Sequence, residues 1–298
     1  MSLTWRERWA ARLDARLLRA SRPLGDADLA RRTLVLAPHP DDETLGCGGT
    51  IARLRALGTQ VTVVVAADGS RSHRHLMPVD ELRARRDAEL LAACGELGVG
   101  ASDVVRLGIE DGTLREHVAA IADAVATLVR ERGIERLCMP VAAERIADHV
   151  AVHAAGRAVV QRLAALQVFE YPVWFWHVWP FVHPEAYGVR ARLRAARESL
   201  AAWRGLHRLD RRVELGPARA LKLNALARHE TQTRRVVDDP RWATLSDVAE
   251  GSWLARLLGP NEFFAVTEPR FDAQTAQARD EAPAPRPDDP DMVRRRAT

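Results

Sequence analysis

Thr33-Leu34-Val35-Leu36-Ala37-Pro38-His39-Pro40-Asp41-Asp42-Glu43 is the stretch from which both the fold and the chemistry of this chain are read. Its first five residues are apolar or β-branched without alternation, the pattern of a parallel strand covered on both faces, and Pro38 bounds it. One imidazole and three carboxylates then stand at the strand exit. If the chain turns after His39, its ring and a carboxylate three residues on can converge on one ion, leaving Asp41 free to face a bound water. A tetrahedral zinc site with an open position needs that supply of nitrogen and oxygen donors. The simpler reading is a polar turn capping the next helix. One Asp would suffice for a cap, whereas Asp41, Asp42 and Glu43 together repel one another unless a cation neutralises them.

Outward from this point the chain alternates. Gly46-Cys47-Gly48-Gly49-Thr50 opens a helix that closes at Gly58, and Val61 to Ala66 is a second strand. A polar loop from Asp68 to His75 leads to helical periodicity over Val79 to Leu97. Val104 to Leu107 is a third strand, Glu110-Asp111-Gly112 a loop, Leu114 to Arg130 a helix, and Arg136 to Val141 a fourth strand. A helix beginning near His149 follows. The βαβα order predicts an α/β fold: a Rossmann-like, mostly parallel sheet with helices on both faces. Each polar cluster falls where a strand ends and a helix begins, and in open α/β sheets those ends share the edge where ligands bind. That edge would bring His149 to the carboxylates of the first junction.

With 298 residues and 47% hydrophobic content the chain supports a sizeable core. It contains no long uninterrupted apolar run, and its opening is too charged for a signal peptide, so a soluble, cytoplasmic protein without a transmembrane segment is expected. Cys47, Cys94 and Cys138 form no CxxC pair. The net charge of +4 is carried almost wholly by arginines dispersed among acids, with no one-sided basic stripe or stacking platform, which argues against a nucleic-acid partner. Trp5 to Leu18 is an Arg-rich amphipathic helix. Glu7 and Asp14 weaken a membrane role for it and favour a packed or solvated surface helix.

Beyond residue 167 the pattern changes. The aromatic run Phe169 to Trp179 starts as a strand and then leaves it, so its tryptophans, Trp174 and Trp176 among them, are either core or the wall of a substrate cleft, the cleft being preferred. Amphipathic helices over Val189 to Trp203 and Pro217 to Thr233 and an apolar close at Asn261 to Val266 follow. From about Ala273 the Pro, Asp and Arg content reads as a disordered tail. The expected organisation is an N-terminal helix over 1–30, one domain over 31–270 and a tail over 271–298.

With these residues in view, the chain resembles the PIG-L (LmbE-like) family of zinc-dependent N-deacetylases. The matches are Pro38-His39-Pro40-Asp41-Asp42-Glu43, Asp111-Gly112, Asp148-His149, and Lys222-Leu223-Asn224-Ala225-Leu226 with His229 and Gln232. The resemblance implies removal of an acyl group, usually acetyl, from the nitrogen of an amino sugar or glycoconjugate. It also implies His39, Asp42 and His149 as ligands of Zn²⁺ and Asp41 as the general base, ionised beside the cation, with Glu43 orienting its neighbours. Asp68, Arg71 and Asp111 are candidate substrate contacts, with loop capping as the alternative. His153 and Cys47 are read as packing residues.

One position departs from the family pattern. Ile146 stands where relatives usually carry a second histidine that stabilises the tetrahedral oxyanion, and isoleucine donates no hydrogen bond. His73, His75, His177 and Arg145 are candidates to substitute; otherwise the chain is a weak or inactive metal-binding relative. A nucleotide-binding Rossmann module is the other alternative, since Gly46-Cys47-Gly48 opens a helix and Asp68 lies about twenty residues on. Against it, the third glycine position holds Ile51 and the carboxylates would repel a pyrophosphate. The acceptor of the amino sugar and the oligomeric state stay open.

Overall fold

Among the described residues, eight strands hydrogen-bond into one sheet: β1 (Arg22–Pro23), β2 (Thr33–Ala37), β3 (Val61–Ala67), β4 (Val104–Ile109), β5 (Arg136–Pro140), β6 (Gln167–Tyr171), β7 (Arg211–Glu214) and β8 (Asn261–Thr267). Their spatial order is β1-β7-β8-β6-β5-β2-β3-β4. The computed structural model describes residues 4–182 and 189–269, without the side chains of 191 and 192. The tail expected after Ala273 lies outside the described residues. β6, β5, β2, β3 and β4 run parallel, β8 pairs antiparallel with both β6 and β7, and β1 runs parallel to β7.

The helices are α1 (Trp5–Ala20), α2 (Asp26–Leu29), α3 (Asp42–Ala56), α4 (Val79–Glu96), α5 (Val118–Glu131), α6 (Ala147–Arg162), α7 (Val189–Gly205), α8 (Ala218–Arg228), α9 (Glu230–Thr233) and α10 (Ser252–Leu257). Successive strand residues point to opposite faces, so Val35, Val63 and Cys138 join a core with residues of α3 and α4, while Leu34, Leu36, Val64 and Met139 join a second core with α5 and α6. Every residue of β2, β3, β5 and β6 is buried, which explains their unbroken apolar pattern.

Three sequence expectations shift. The helix after β2 begins at Asp42 rather than at the glycines, which lie inside it. A Cβ on Gly46 would stand 2.3 Å from the Tyr171 ring and one on Gly49 would stand 2.5 Å from Leu215, so these glycines let α3 lie close on its neighbours. The expected helix over Pro217–Thr233 is broken at His229, whose backbone (φ −78°, ψ 64°) separates α8 from α9. β1 and the charged β7 had no apolar signature; β1 brings residues of the expected N-terminal segment into the sheet.

Topology places the site. From β2 the chain moves to β3 and β4 on one side, then returns to β5 and β6 on the other. The reversal leaves a crevice at the carboxyl ends of β2 and β5, where the 38–43 turn and the start of α6 meet.

Candidate metal centre

His39 and Asp42 leave β2 together. Asp41 turns the chain with φ 125°, ψ −28°, a conformation that strains a non-glycine residue by about 1–3 kcal/mol and that concentrates at functional sites. Asp41 heads α3 without a side-chain cap bond, so capping does not account for it. Its carboxylate instead accepts a hydrogen bond from Gln232 Nε2, which also donates to Pro40 O at 2.7 Å. Glu43 braces the turn from behind, accepting from Asp41 N (3.0 Å) and Thr44 Oγ1 (2.7 Å) and facing His229 Nε2 at 3.1 Å.

His149, from the first turn of α6, reaches this junction although its neighbour Asp148 lies 109 positions from His39. Its Nε2 lies 3.2 Å from Asp42 Oδ2, and His39 Nδ1 lies 3.3 Å from the same oxygen. Donors bound at about 2.0–2.2 Å to one tetrahedral ion stand about 3.3 Å apart, so the spacing fits a shared cation. The ligand atoms of His39, Asp42 and His149 lie within 4.8 Å of one another. His149 is fully buried, yet neither ring nitrogen has a hydrogen-bond partner. Buried polar atoms are nearly always paired, and a cation on Nε2 would answer one of these vacancies.

Each imidazole also has a carboxylate behind it. His39 Nε2 lies 3.1 Å from Asp148 Oδ2 and 3.4 Å from Asp111 Oδ1, and His149 Nδ1 lies 3.6 Å from Glu144 Oε2. Ligand histidines are commonly oriented by such carboxylates. Asp148 is anchored by the Gly112 N–H at 2.8 Å, and Glu144 accepts from Val173 N and Trp174 N. His39, Asp111 and Asp148 form a second possible donor group through the other nitrogen of His39. The set with two imidazoles and one carboxylate is the better match to zinc.

Charge in the turn is unbalanced. Burial opposes a charge on His39, but Asp111, Asp148 and Asp42 outweigh it and raise its pKa well above the usual value. Asp42 is also desolvated, and the two imidazoles hold its pKa below the ordinary range. For Asp41 the protein alone acts against the sequence expectation of a readily ionised base: burial first, then the Asp42 charge, push its pKa well up. That expectation counted a cation and left out desolvation.

A cavity of about 490 Å³ opens over these groups, walled by His39, Asp41, Asp42, Arg71, Arg86, Asp111, Asp148 and Trp174 among others. Its size suits a small ligand. Arg71 and Asp111 meet there, the Arg71 N–H donating to Asp111 Oδ2 at 3.2 Å. Two expected contacts stand elsewhere. Asp68 accepts from Ser70 N, Asp111 N and Arg83 Nε and so ties loops together outside the cavity lining. Trp176 is buried against Phe175, Phe181 and Arg256 and lines a different cavity, because the 3₁₀ turn Trp174–Trp176 sends the two indoles to different sides.

Ile146 does line the cavity, and two of the side chains considered as its substitutes, His73 and Arg145, are otherwise engaged. His73 stacks on Trp242 with its nitrogens on Ser72 Oγ and Ala243 O, and Arg145 binds His177 O and Glu198. The sequence reading missed Arg86, a buried guanidinium in the cavity wall whose Nε has no partner, and Glu144. Arg86 reads in sequence as one more arginine of a surface helix. Only its packing against Gly69, where a Cβ would stand 2.7 Å from its Cδ, marks it out.

Comparison with known proteins converges on the same region. Residues 34–160 match the PIG-L family, described as GlcNAc-PI de-N-acetylase. The chain is 32% identical over 151 residues, 49% of its length and 66% of the relative's, to the "Probable N-acetyl-alpha-D-glucosaminyl L-malate deacetylase 2" of Bacillus cereus. It is 47% identical over 76 residues, 23% of its length and 27% of the relative's, to the 1D-myo-inositol 2-acetamido-2-deoxy-alpha-D-glucopyranoside deacetylase of Actinosynnema mirum. The matches thus span less than two thirds of these relatives. In fold, the N,N'-diacetylchitobiose deacetylase from Pyrococcus horikoshii superposes with a TM-score of 0.54 at 19% identity, over 90% of this chain and 94% of that one. The His39 turn, the loop after β4 and the start of α6 all lie inside the matched segment, so the likeness to the PIG-L family is carried by residues 34–160.

Proposed function

We propose that this protein is a zinc-dependent N-deacetylase that hydrolyses the acetamide of an amino sugar or glycoconjugate. The observation that carries the reading is the fully buried His149 imidazole, whose ring nitrogens make no hydrogen bond, facing Asp42 and His39 at the sheet's switch point. The names of the relatives, all deacetylases of acetylated amino sugars, support the substrate class. His39, Asp42 and His149 would hold the ion, which when bound polarises the acyl carbonyl and supplies hydroxide at neutral pH.

The chain's own groups do the rest. Asp41, held by Gln232 and the Glu43 brace, takes the proton of the attacking water and returns it to the departing amine nitrogen, which could not leave as an anion. Asp111 and Arg71 bind sugar hydroxyls, and Trp174 walls the cavity. In place of the histidine absent at 146, Arg86 supplies positive charge from the wall. The uncapped first turn of α6 adds backbone N–H groups beside it. The glycines that suggested a nucleotide module are packed inside α3, which weighs against that alternative.

The test is acetate release from a panel of N-acetylglucosaminyl compounds by protein reconstituted with zinc. Asp41→Asn should lower kcat about 100- to 10,000-fold with metal content unchanged. Equal rates for both proteins, or full activity after chelation, would refute the mechanism.

A further inference from the structure

We propose that the outer faces of α1 and α7 form one docking surface for an anionic phospholipid bilayer. Around α7, Ser199 and Ala202 are buried. Beside them Val189 (74% exposed), Leu193 (62%) and Leu200 (44%) make an uncovered apolar stripe at helical spacing. The side opposite the buried residues carries Arg190, Arg194, Arg197 and Arg204. Among the described residues, Arg194 alone of these four has an ion-pair partner, Glu198.

The neighbouring helix repeats the charge. α1 turns Ala10, Leu13 and Leu17 into the core, so its apolar face is taken, as its acids suggested. On its exposed side Arg8, Arg12, Arg16 and Arg19 recur at helical spacing. The two acids of α1 are used elsewhere, Glu7 in the Thr4 cap and Asp14 against Arg256 at 2.7 Å. Stacking of Trp9 on Trp203 (centroids 6.2 Å, planes 5° apart) and contacts of Trp179 with Trp5 and Trp203 fasten the two helices together. Trp5, 61% exposed, stands at this seam. Arginine stripes dispersed in sequence are thereby gathered in space, which a linear reading could not detect.

A bilayer surface fits both halves of this pattern in one plane. Lipid phosphates neutralise the arginines, the acyl boundary covers Val189, Leu193 and Leu200, and an indole settles at headgroup level. A nucleic acid would satisfy the charge and leave the apolar stripe in water. Glu198 of α7 pairs with Arg145, adjacent to Ile146 in the cavity wall, so the surface lies beside the cavity. The proposal stands independently of the reaction run there.

The experiment is co-sedimentation of the full chain with vesicles of phosphatidylcholine alone and of phosphatidylcholine with phosphatidylglycerol. Binding is expected to the anionic vesicles only, weakening as salt rises. Each arginine near such a surface contributes about fivefold to partitioning, so the double variant R190E/R197E should lose at least about twentyfold. The double variant L193D/L200D, with every arginine intact and at exposed positions whose folding circular dichroism verifies, should also come off the vesicles. The proposal fails if the wild type ignores anionic vesicles, binds both compositions equally, or keeps its binding in L193D/L200D. It fails too if a short oligonucleotide displaces it from lipid, or if the leucine variants instead abolish a dimer.

Discussion

The start and the middle of α3 carry buried charge in opposite conditions. At its start, Asp41, Asp42 and Glu43 crowd with His39 and His149, and both nitrogens of His149 and one oxygen of Asp148 lack partners. Further along, the helix kinks at Cys47 (φ −148°, ψ 22°), which interrupts its hydrogen-bond ladder. The stranded groups are answered by one ion pair. Lys222 Nζ donates to Leu45 O, Leu257 O and Glu262 Oε1, and Glu262 accepts from the N–H groups of Gly49 and Thr50 and the Thr50 hydroxyl. All three donors of that lysine are in use. Burial of charge alone therefore does not distinguish a working site from a strut. Completeness of pairing does.

The comparison is broken most sharply at the strut. Lys222→Met should strand Glu262 and the Leu45 carbonyl together and cost about 3–5 kcal/mol, read by urea unfolding. A loss within experimental error would mean that water reaches the pair. At the start of α3, Glu144→Gln should weaken zinc affinity about 10- to 100-fold, measured by competition with a chromogenic chelator, and, because both its oxygens accept backbone N–H groups, should also lower the unfolding free energy by about 1–3 kcal/mol. Glu262→Gln is the reciprocal control, expected to lower stability and leave zinc affinity alone. At the strut itself, Gly49→Ala drives a methyl into the buried Leu215 side chain and should cost about 1–3 kcal/mol by thermal unfolding.

How much of this was legible in sequence depended on the range of the cause. The unbroken apolar runs of β2, β3 and β5 announce strands buried on both faces, and polar clusters at their exits announce one ligand edge. Both signals are local, and the parallel sheet follows from them. β7 reads as charge because Arg211 and Arg212 are half-buried with their guanidinium groups satisfied, Arg212 by Glu214 and by backbone carbonyls of residues 18 and 21. The pairing of Lys222 with Glu262, the carboxylate behind His149 and the separate destinations of Trp174 and Trp176 are set by contacts far apart in sequence or by one turn's direction. The strained Asp41 backbone had no signature at all, since Asp is common wherever helices start.

That strained residue gives the finest test of the contrast. In metal-free protein, burial and the Asp42 charge both disfavour ionised Asp41, while Gln232 offers it a hydrogen bond that an amide oxygen can equally accept. Asp41→Asn removes the charge, keeps the shape, and places at positive φ a residue that tolerates such backbone better than most. The variant should therefore be more stable than the wild type by about 1 kcal/mol without zinc, the usual exchange between stability and a strained working site. Zinc narrows the difference, because a cation on Asp42 cancels the repulsion that the substitution relieves. Calorimetry of both proteins with and without zinc checks the sign. If Asp41→Asn destabilises the metal-free fold as Lys222→Met does, Asp41 is a strut like the lysine, and the division between the start and the middle of α3 disappears.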